Sequence, residues 1–150
     1  MKQHCKNLHL CDILEENIQA FKSTGIKSIK FFLHNFIKTY TQKKYNGIYS
    51  LDVLEHIHKK KEKDFLKNIC KSLKSNGSLI IGMPTLESQK YASKVSKLGH
   101  INCKSKKELK SFLLKYFNNV YMFSMNDEVV HTGFDKMSHY IFALANSKKR

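Results

Sequence analysis

The stretch YSLDVLEHIH, Tyr49 to His58, begins apolar and then turns acidic, with Asp52, Glu55 and His56 spaced i, i+3 and i+4. On a helix that spacing puts three ionisable side chains on one face. Other polar residues stand where apolar runs stop. Asp12 follows Leu8–Cys11, Asn35 follows Ser28–Leu33, and Thr85 follows Ser78–Met83. Asn126, Asp127 and Glu128 follow Val120–Met125. A carboxylate such as Asp12 at a strand end accepts hydrogen bonds from two adjacent ribose hydroxyls, or from the amides that open a helix. Spacing leaves both readings of Asp12 open. His100, in Gly99-His-Ile-Asn102, and His131, after Val120–Met125, are candidate general bases, with a structural hydrogen bond as the plainer alternative. Cys5, Cys11, Cys70 and Cys103 form no CxxC pair, so neither a zinc knuckle nor a redox pair is indicated.

The elements that would position these residues alternate. Leu8–Cys11 reads as a strand, and Asp12-Ile-Leu-Glu15 as a capping box opening a helix that carries Ile18 and Phe21 on one face and stops at Gly25. Ser28–Leu33 is β-branched and aromatic, and Tyr45–Leu51 is the next strand. A helix from Lys61 to Lys74 has the stripe Phe65, Leu66, Ile69 and Leu73, with Gly77 as its stop. Ser78–Met83 is almost continuously apolar, as suits a strand covered on both faces. Ser105-Lys-Lys-Glu108 is a second capping box, ahead of a helix burying Leu109, Phe112, Leu113, Tyr116 and Phe117. Val120–Met125 and Ser138–Ala145 close the chain as strands. This order implies an α/β fold, one domain over residues 1–150, with a mostly parallel sheet and helices on both faces. Ligands of such sheets bind beyond the carboxyl ends of the strands, where the polar residues above collect.

Composition narrows the partners. The net charge of +15 points to anions, but Arg150 is the sole arginine and the lysines are spread along the whole chain. Arginine is the residue that grips phosphate and guanine in bidentate fashion, so a solvated surface is expected rather than a nucleic-acid interface. No apolar run reaches the roughly 20 residues of a membrane span, and MKQHCKNLHL lacks the apolar centre of a signal peptide. A cytoplasmic protein is expected, with no membrane partner.

The segments LHLCDILEENI, YNGIYSLDVLEHI, LKSNGSLIIGMP and GHINCKSKKELKSFLLKYFNNV together resemble the class I S-adenosylmethionine-dependent methyltransferases. The likeness is to the group with an acid-x-x-Glu-His signature, which includes ubiquinone-pathway O-methyltransferases. It implies a Rossmann-like methyltransferase sheet with a C-terminal antiparallel strand, and S-adenosylmethionine as cofactor. It also implies methyl transfer to an oxygen or nitrogen of a small molecule or saccharide. Asp12 then matches the ribose-binding acid, Asn35 the contact to the adenine amino group, and Leu51 the residue whose backbone lies beside the cofactor, with Asp52 next to it. Asp52, Glu55 and His56 match a trio that binds magnesium in some relatives. Magnesium prefers oxygen ligands, so no metal is expected; Asp52 would cap a helix, while Glu55 and His56 fix the site's edge by hydrogen bonds.

One part of the resemblance is missing. The family's first strand and helix, joined by a glycine-rich loop, have no counterpart, since no two of the six glycines are close enough. The family's first strand stands mid-sheet, so its loss leaves strands with unpaired backbone groups and edges that invite another chain. A truncated methyltransferase is the favoured expectation. The alternative is a non-catalytic remnant acting as an interaction module, completed by an oligomer or by another chain.

Overall fold

The computed structural model describes residues 5–127, 129–133 and 135–149. Glu128, one of the acids expected at the rim, lies outside them.

Strand β1 (Leu8–Asp12) leads to helix α1 (Glu15–Ser23), and β2 (Ile29–Leu33) returns parallel to β1. The first capping box does not form. Leu14 is the N-cap of α1, and Asp12 stands two residues too early, its Oδ1 accepting the Leu14 N–H at 2.9 Å. Ile18 and Phe21 do form the packing face. Ile18 is buried, and Phe21 stacks on Phe31 with ring centroids 5.8 Å apart.

Strand β3 (Tyr45–Leu51) runs into a 3-10 turn at Leu54–His56, and helix α2 (Glu62–Ser72) passes straight into β4 (Leu73–Pro84). Gly77 is therefore not a helix stop. It lies inside β4, where an added Cβ would come within 3.0 Å of the Tyr45 carbonyl oxygen. The backbones are close there because the β3–β4 register shifts between Tyr45 and Gly47. Helix α3 (Lys94–Gly99), absent from the sequence reading, buries no side chain. Helix α4 (Lys106–Leu113) has the expected reciprocal capping box between Ser105 and Glu108. Phe117 is not on that helix; it opens β5 (Phe117–Asn126) and is fully buried. A short β6 (Val129–His131) and β7 (Tyr140–Lys148) follow.

Two sheets result: β1-β2, and β3-β4-β7-β5-β6. The α/β methyltransferase-like architecture is as expected, but the parallel part is smaller. Among the strands of the described residues only the β1–β2 and β3–β4 pairs are parallel, because β7 inserts between β4 and β5 antiparallel to both, and β6 adds antiparallel to β5. No strand among the described residues joins β1 to β3. Side chains cross that seam instead: Tyr45 meets His9 edge to face at 5.4 Å, and Lys43 Nζ lies 3.2 Å from His9 Nε2. Burial and the nearby charges of Lys43 and Lys30 push the His9 pKa down.

Helices cover one face of the larger sheet rather than both. The core joins Phe65, Leu66 and Ile69 of α2 and Leu109 and Leu113 of α4 to Leu79 and Ile81 of β4, with Ile141, Ala143 and Ala145 of β7. Tyr49, Leu51, Ile80 and Tyr121 stand on the opposite, exposed face. No helix among the described residues is long and apolar enough to cross a membrane.

Candidate functional site

The rim is built by strand ends. His9 packs on Tyr45, and further along Cys11 lies close enough to Tyr49 to raise its phenol, so β1 and β3 run the same way and Asp12 and Leu51 end toward the same side. Asp12 keeps one carboxylate oxygen on the Leu14 amide, closing the turn into α1. Asn35 closes a similar turn two residues after β2, its Oδ1 accepting the Ile37 N–H at 2.9 Å. A carbonyl oxygen carries a second lone pair, so this bond leaves Asn35 able to accept another.

Leu51 ends β3 beside Gly82 of β4, its pairing partner. Asp52 follows with φ 54, a left-handed conformation that costs a residue with a Cβ of order 1 kcal/mol or more, and its N–H donates to the Gly82 carbonyl at 3.1 Å. Asp52 is thus no helix cap; Val53 holds the N-cap position of the 3-10 turn, without a side-chain bond. The Asp52 carboxylate faces Tyr140 of β7. Burial first, and then that carboxylate, drives the Tyr140 phenol well above its ordinary pKa. Gly82 makes the packing feasible: a Cβ there would lie 2.7 Å from the Tyr140 ring and 3.0 Å from the Leu51 side chain.

Asp52, Glu55 and His56 do not share a helix face, because the chain between them is a strand end and a single 3-10 turn. Glu55 points inward. It is fully buried, and neither carboxylate oxygen accepts a hydrogen bond from another residue. Burial and the charge of Asp52 push its pKa up, against the lowering effects of its own backbone N–H and of His56. His56 Nε2 lies 3.9 Å from Glu55 Oε1. Its Nδ1 is 2.9 Å from the Gly99 carbonyl oxygen and must carry the proton to bond there. His100 packs on His56 with ring centroids 5.2 Å apart, and its Nδ1 donates to Gln89 Oε1 at 2.8 Å. Glu55, His56 and His100 offer ligand atoms that all lie within 4.8 Å of one another. Asp52 is outside this group, so the magnesium trio implied by the sequence is not assembled. Two imidazoles are also poor magnesium ligands.

A buried ion pair holds the segment bearing His100. Lys104 Nζ donates to Glu62 Oε2 at 2.7 Å and to Asn102 Oδ1 at 3.2 Å, while the Asn102 N–H donates to the Glu55 carbonyl at 2.9 Å. Sequence reading missed Glu55 as a buried acid, together with Gln89, Glu62, Lys104 and Tyr140. Their partners lie 11 to 42 positions away in the bonds Gln89–His100 and Glu62–Lys104, beyond any local pattern. His131 is not gathered with the rest. It pairs with Ser124 on the outermost strand, four strand spacings (roughly 19 Å) from β3. Its Nδ1 accepts the Gly133 N–H at 3.1 Å. An open cleft of about 590 Å³ is lined by residues that include His9, Lys30, Phe32, Tyr40, Lys43 and Tyr45, and by none of the rim residues.

A family model described as "Methyltransferase domain" matches residues 1–121. The chain belongs to the methyltransferase domain family. Solved structures agree on the fold. A DhpI complex with SAM and HEP superposes with a TM-score of 0.71 at 12% identity, over 97% of this chain and 70% of that one. The N-methyltransferase NodS from Bradyrhizobium japonicum WM9, in complex with S-adenosyl-L-homocysteine, gives 0.65 at 16% identity, over 96% and 68%. The methyltransferase domain of bacterial CtHen1 gives 0.71 at 13% identity, over 94% and 78%. No curated protein matches by sequence. The family is that of class I methyltransferases, whose methyl donor is S-adenosylmethionine. In this methyltransferase-family chain, Asp12 and Asn35 are acceptors of the kind that the hydroxyls and amino group of the donor's nucleoside half require. Among the described residues nothing stands where a glycine-rich loop would cradle the methionine half.

Proposed function

We propose that this chain is the greater part of an S-adenosylmethionine-dependent methyltransferase acting in the cytoplasm on an oxygen or nitrogen of a small-molecule or saccharide acceptor. The reading rests on strand order: Asp12, Asn35, Leu51 and Asp52 each stand at or just past the end of one of the parallel strands β1, β2 and β3. It is supported by family membership and by neighbours crystallised with SAM or S-adenosyl-L-homocysteine.

Asp12 holds the ribose hydroxyls with its second oxygen, and Asn35 accepts from the adenine amino group. The Leu51 backbone borders the cofactor, and Asp52 is pinned by Gly82. The donor supplies an electrophilic methyl group. The chain's work is alignment of the acceptor with it. His131 is too remote to take the acceptor's proton. In His100 the Nδ1 is engaged by Gln89, which makes Nε2 the nitrogen that would take a proton.

Calorimetry with S-adenosylmethionine and S-adenosyl-L-homocysteine tests this. Binding is expected, weakened at least tenfold in Asp12→Ala, and folded protein that gives no heat with either compound refutes it. A second reading rests on the open edges of β1 and β3: a non-catalytic module that binds a completing chain there. Sedimentation that stays monomeric at high concentration, together with cofactor binding, rejects that alternative. Nucleic acid and membranes are not proposed partners.

A further inference from the structure

We propose that the cleft walled by β2 and the loop 39–43 binds a small phosphate monoester carrying a planar ring, a ligand distinct from the methyl donor. Its volume of about 590 Å³ lies in the range of small-molecule sites, and a phosphate group alone would leave most of it empty. The walls come from separate parts of the chain: His9 from β1, Lys30 and Phe32 from β2, and Tyr40, Lys43 and Tyr45 from the loop and the start of β3. Side chains tie these parts together. Lys43 Nζ lies 3.2 Å from His9 Nε2, and Tyr45 Oη lies 3.2 Å from His9 Nδ1. His34 Nε2 donates to the Thr39 carbonyl at 3.1 Å, which fastens the loop to the end of β2. Asp12, Asn35, Leu51 and Asp52 are not in the lining, so this is not the donor's site.

Charge selects the ligand. No carboxylate stands among the lining residues, and none of the described carboxylates forms an ion pair with Lys30 or Lys43. Lys30 faces His9 in the β1–β2 register, and Lys43 approaches it from the loop, so two ammonium groups flank one imidazole. Burial first, and then the charges of Lys43 and Lys30, pushes the His9 pKa down: a further positive charge in that corner is disfavoured, and an anion relieves the crowding. A phosphate monoester brings about −1.5 to −2 of charge at neutral pH and three acceptor oxygens, which match two ammonium groups; a carboxylate brings a single charge. The remainder of the cleft is aromatic. Phe32 meets His9 edge to face with ring centroids 6.2 Å apart, and Tyr40 is exposed, with Lys44 Nζ 4.9 Å from its ring centroid. Planar rings stack on such side chains, so ring and phosphate together use both halves of the lining.

The test is calorimetry of the folded full chain with phenyl phosphate, uridine monophosphate, benzoate and inorganic phosphate. It is run without S-adenosylmethionine, so its outcome is separate from that of donor binding. Phenyl phosphate or uridine monophosphate should bind once per chain, roughly tenfold or more tighter than inorganic phosphate and than benzoate. The tighter of the two esters says whether the ring is an aryl group or a nucleobase. Lys30→Gln and Lys43→Gln should each weaken ester binding roughly tenfold. Tyr40→Ala should weaken it about fivefold or more and leave inorganic phosphate within about twofold, because it removes only the stacking surface. The double change Lys59→Gln and Lys60→Gln, outside the cleft, should have no effect, which separates the cleft from the general attraction of a chain with a net charge of +15. On the unaltered chain, the ring resonances of His9 and His34 should shift as phenyl phosphate is added. The proposal is overturned if neither ester outbinds inorganic phosphate, or if those two histidines do not respond. Loss of binding in the Lys59 and Lys60 variant as large as in the cleft variants overturns it as well. So does a single-stranded oligonucleotide that binds roughly 100-fold tighter than uridine monophosphate, the mark of a nucleic-acid surface.

Discussion

Replacing Lys104 by methionine tests the idea that a buried charge pair holds the His100 segment in place. Lys104 is 6% exposed, its Nζ lies 2.7 Å from Glu62 Oε2, and it sits over the Phe112 ring at 5.3 Å. Methionine keeps the stem's apolar packing and removes the charge. Glu62, 8% exposed, then retains a single donor, Asn102 Nδ2 at 3.1 Å. Breaking one side of a buried pair in this way costs about 3–5 kcal/mol. A domain has about 5–15 kcal/mol of stability, so the loss is a large share of the total. At about 2–4 °C per kcal/mol for this size, the thermal midpoint should fall by roughly 6–20 °C. Urea unfolding followed by far-ultraviolet circular dichroism measures it directly, because the chain has no tryptophan. Adding Glu62→Leu should recover most of the loss, since a pair replaced by apolar residues of similar volume is often neutral. A single-variant cost below about 1 kcal/mol, as for an exposed pair, would refute the reasoning.

Two further perturbations follow. Gly82→Ala places a methyl 2.7 Å from the Tyr140 ring and 2.8 Å from the Phe142 ring, so it should cost about 1–3 kcal/mol by overpacking and weaken cofactor affinity by disturbing Leu51 and Asp52. Unchanged calorimetric affinity in that variant would separate the β4 packing from the rim. Burial raises the thiols of Cys11, Cys70 and Cys103 from 9.0 to about 11. At pH 8 their thiolate fraction falls roughly 100-fold, and alkylation followed by peptide mass spectrometry should show them that much slower in folded than in unfolded protein. Between pH 9 and 11 the unfolded chain releases these protons first, so stability should fall as pH rises through that window.

The elements most legible from sequence were those fixed by neighbours in the chain. The Ser105–Glu108 box formed because its donors and acceptors lie within one turn. Asp12–Glu15 looked the same on paper, yet Asp12 was taken by the turn closing onto Leu14. Phe117 fitted the apolar spacing of α4, but the helix ended at Leu113 and burial was reached in β5 instead. Helix α3 carries no buried stripe and so gave no signal, and β6 is a three-residue strand with Val129 and Val130 exposed. The insertion of β7 between β4 and β5 is a matter of strand order, which local periodicity does not encode. Among the candidate residues, Asp12, Asn35 and Asp52 stood out in the sequence because each comes where an apolar run stops, whereas Leu51 was named only by the family resemblance. The Glu55–His56–His100 group was not, because it needs a backbone turn and a distant loop to meet.

The seam between β1 and β3 divides the protein by cooperativity. The unit of β1, α1 and β2 shares no backbone ladder with the larger sheet and holds only Ile18 fully buried among its side chains. Its amides should exchange with solvent by local opening, well before those of β4 and β7. Because Asp12 lies in that unit, whereas the turn after Asn35 is tied to α2 through Phe36, the proposed function implies a population of molecules that keeps a native core while unable to grip the ribose. Temperature should therefore abolish ligand affinity several degrees before it melts the protein.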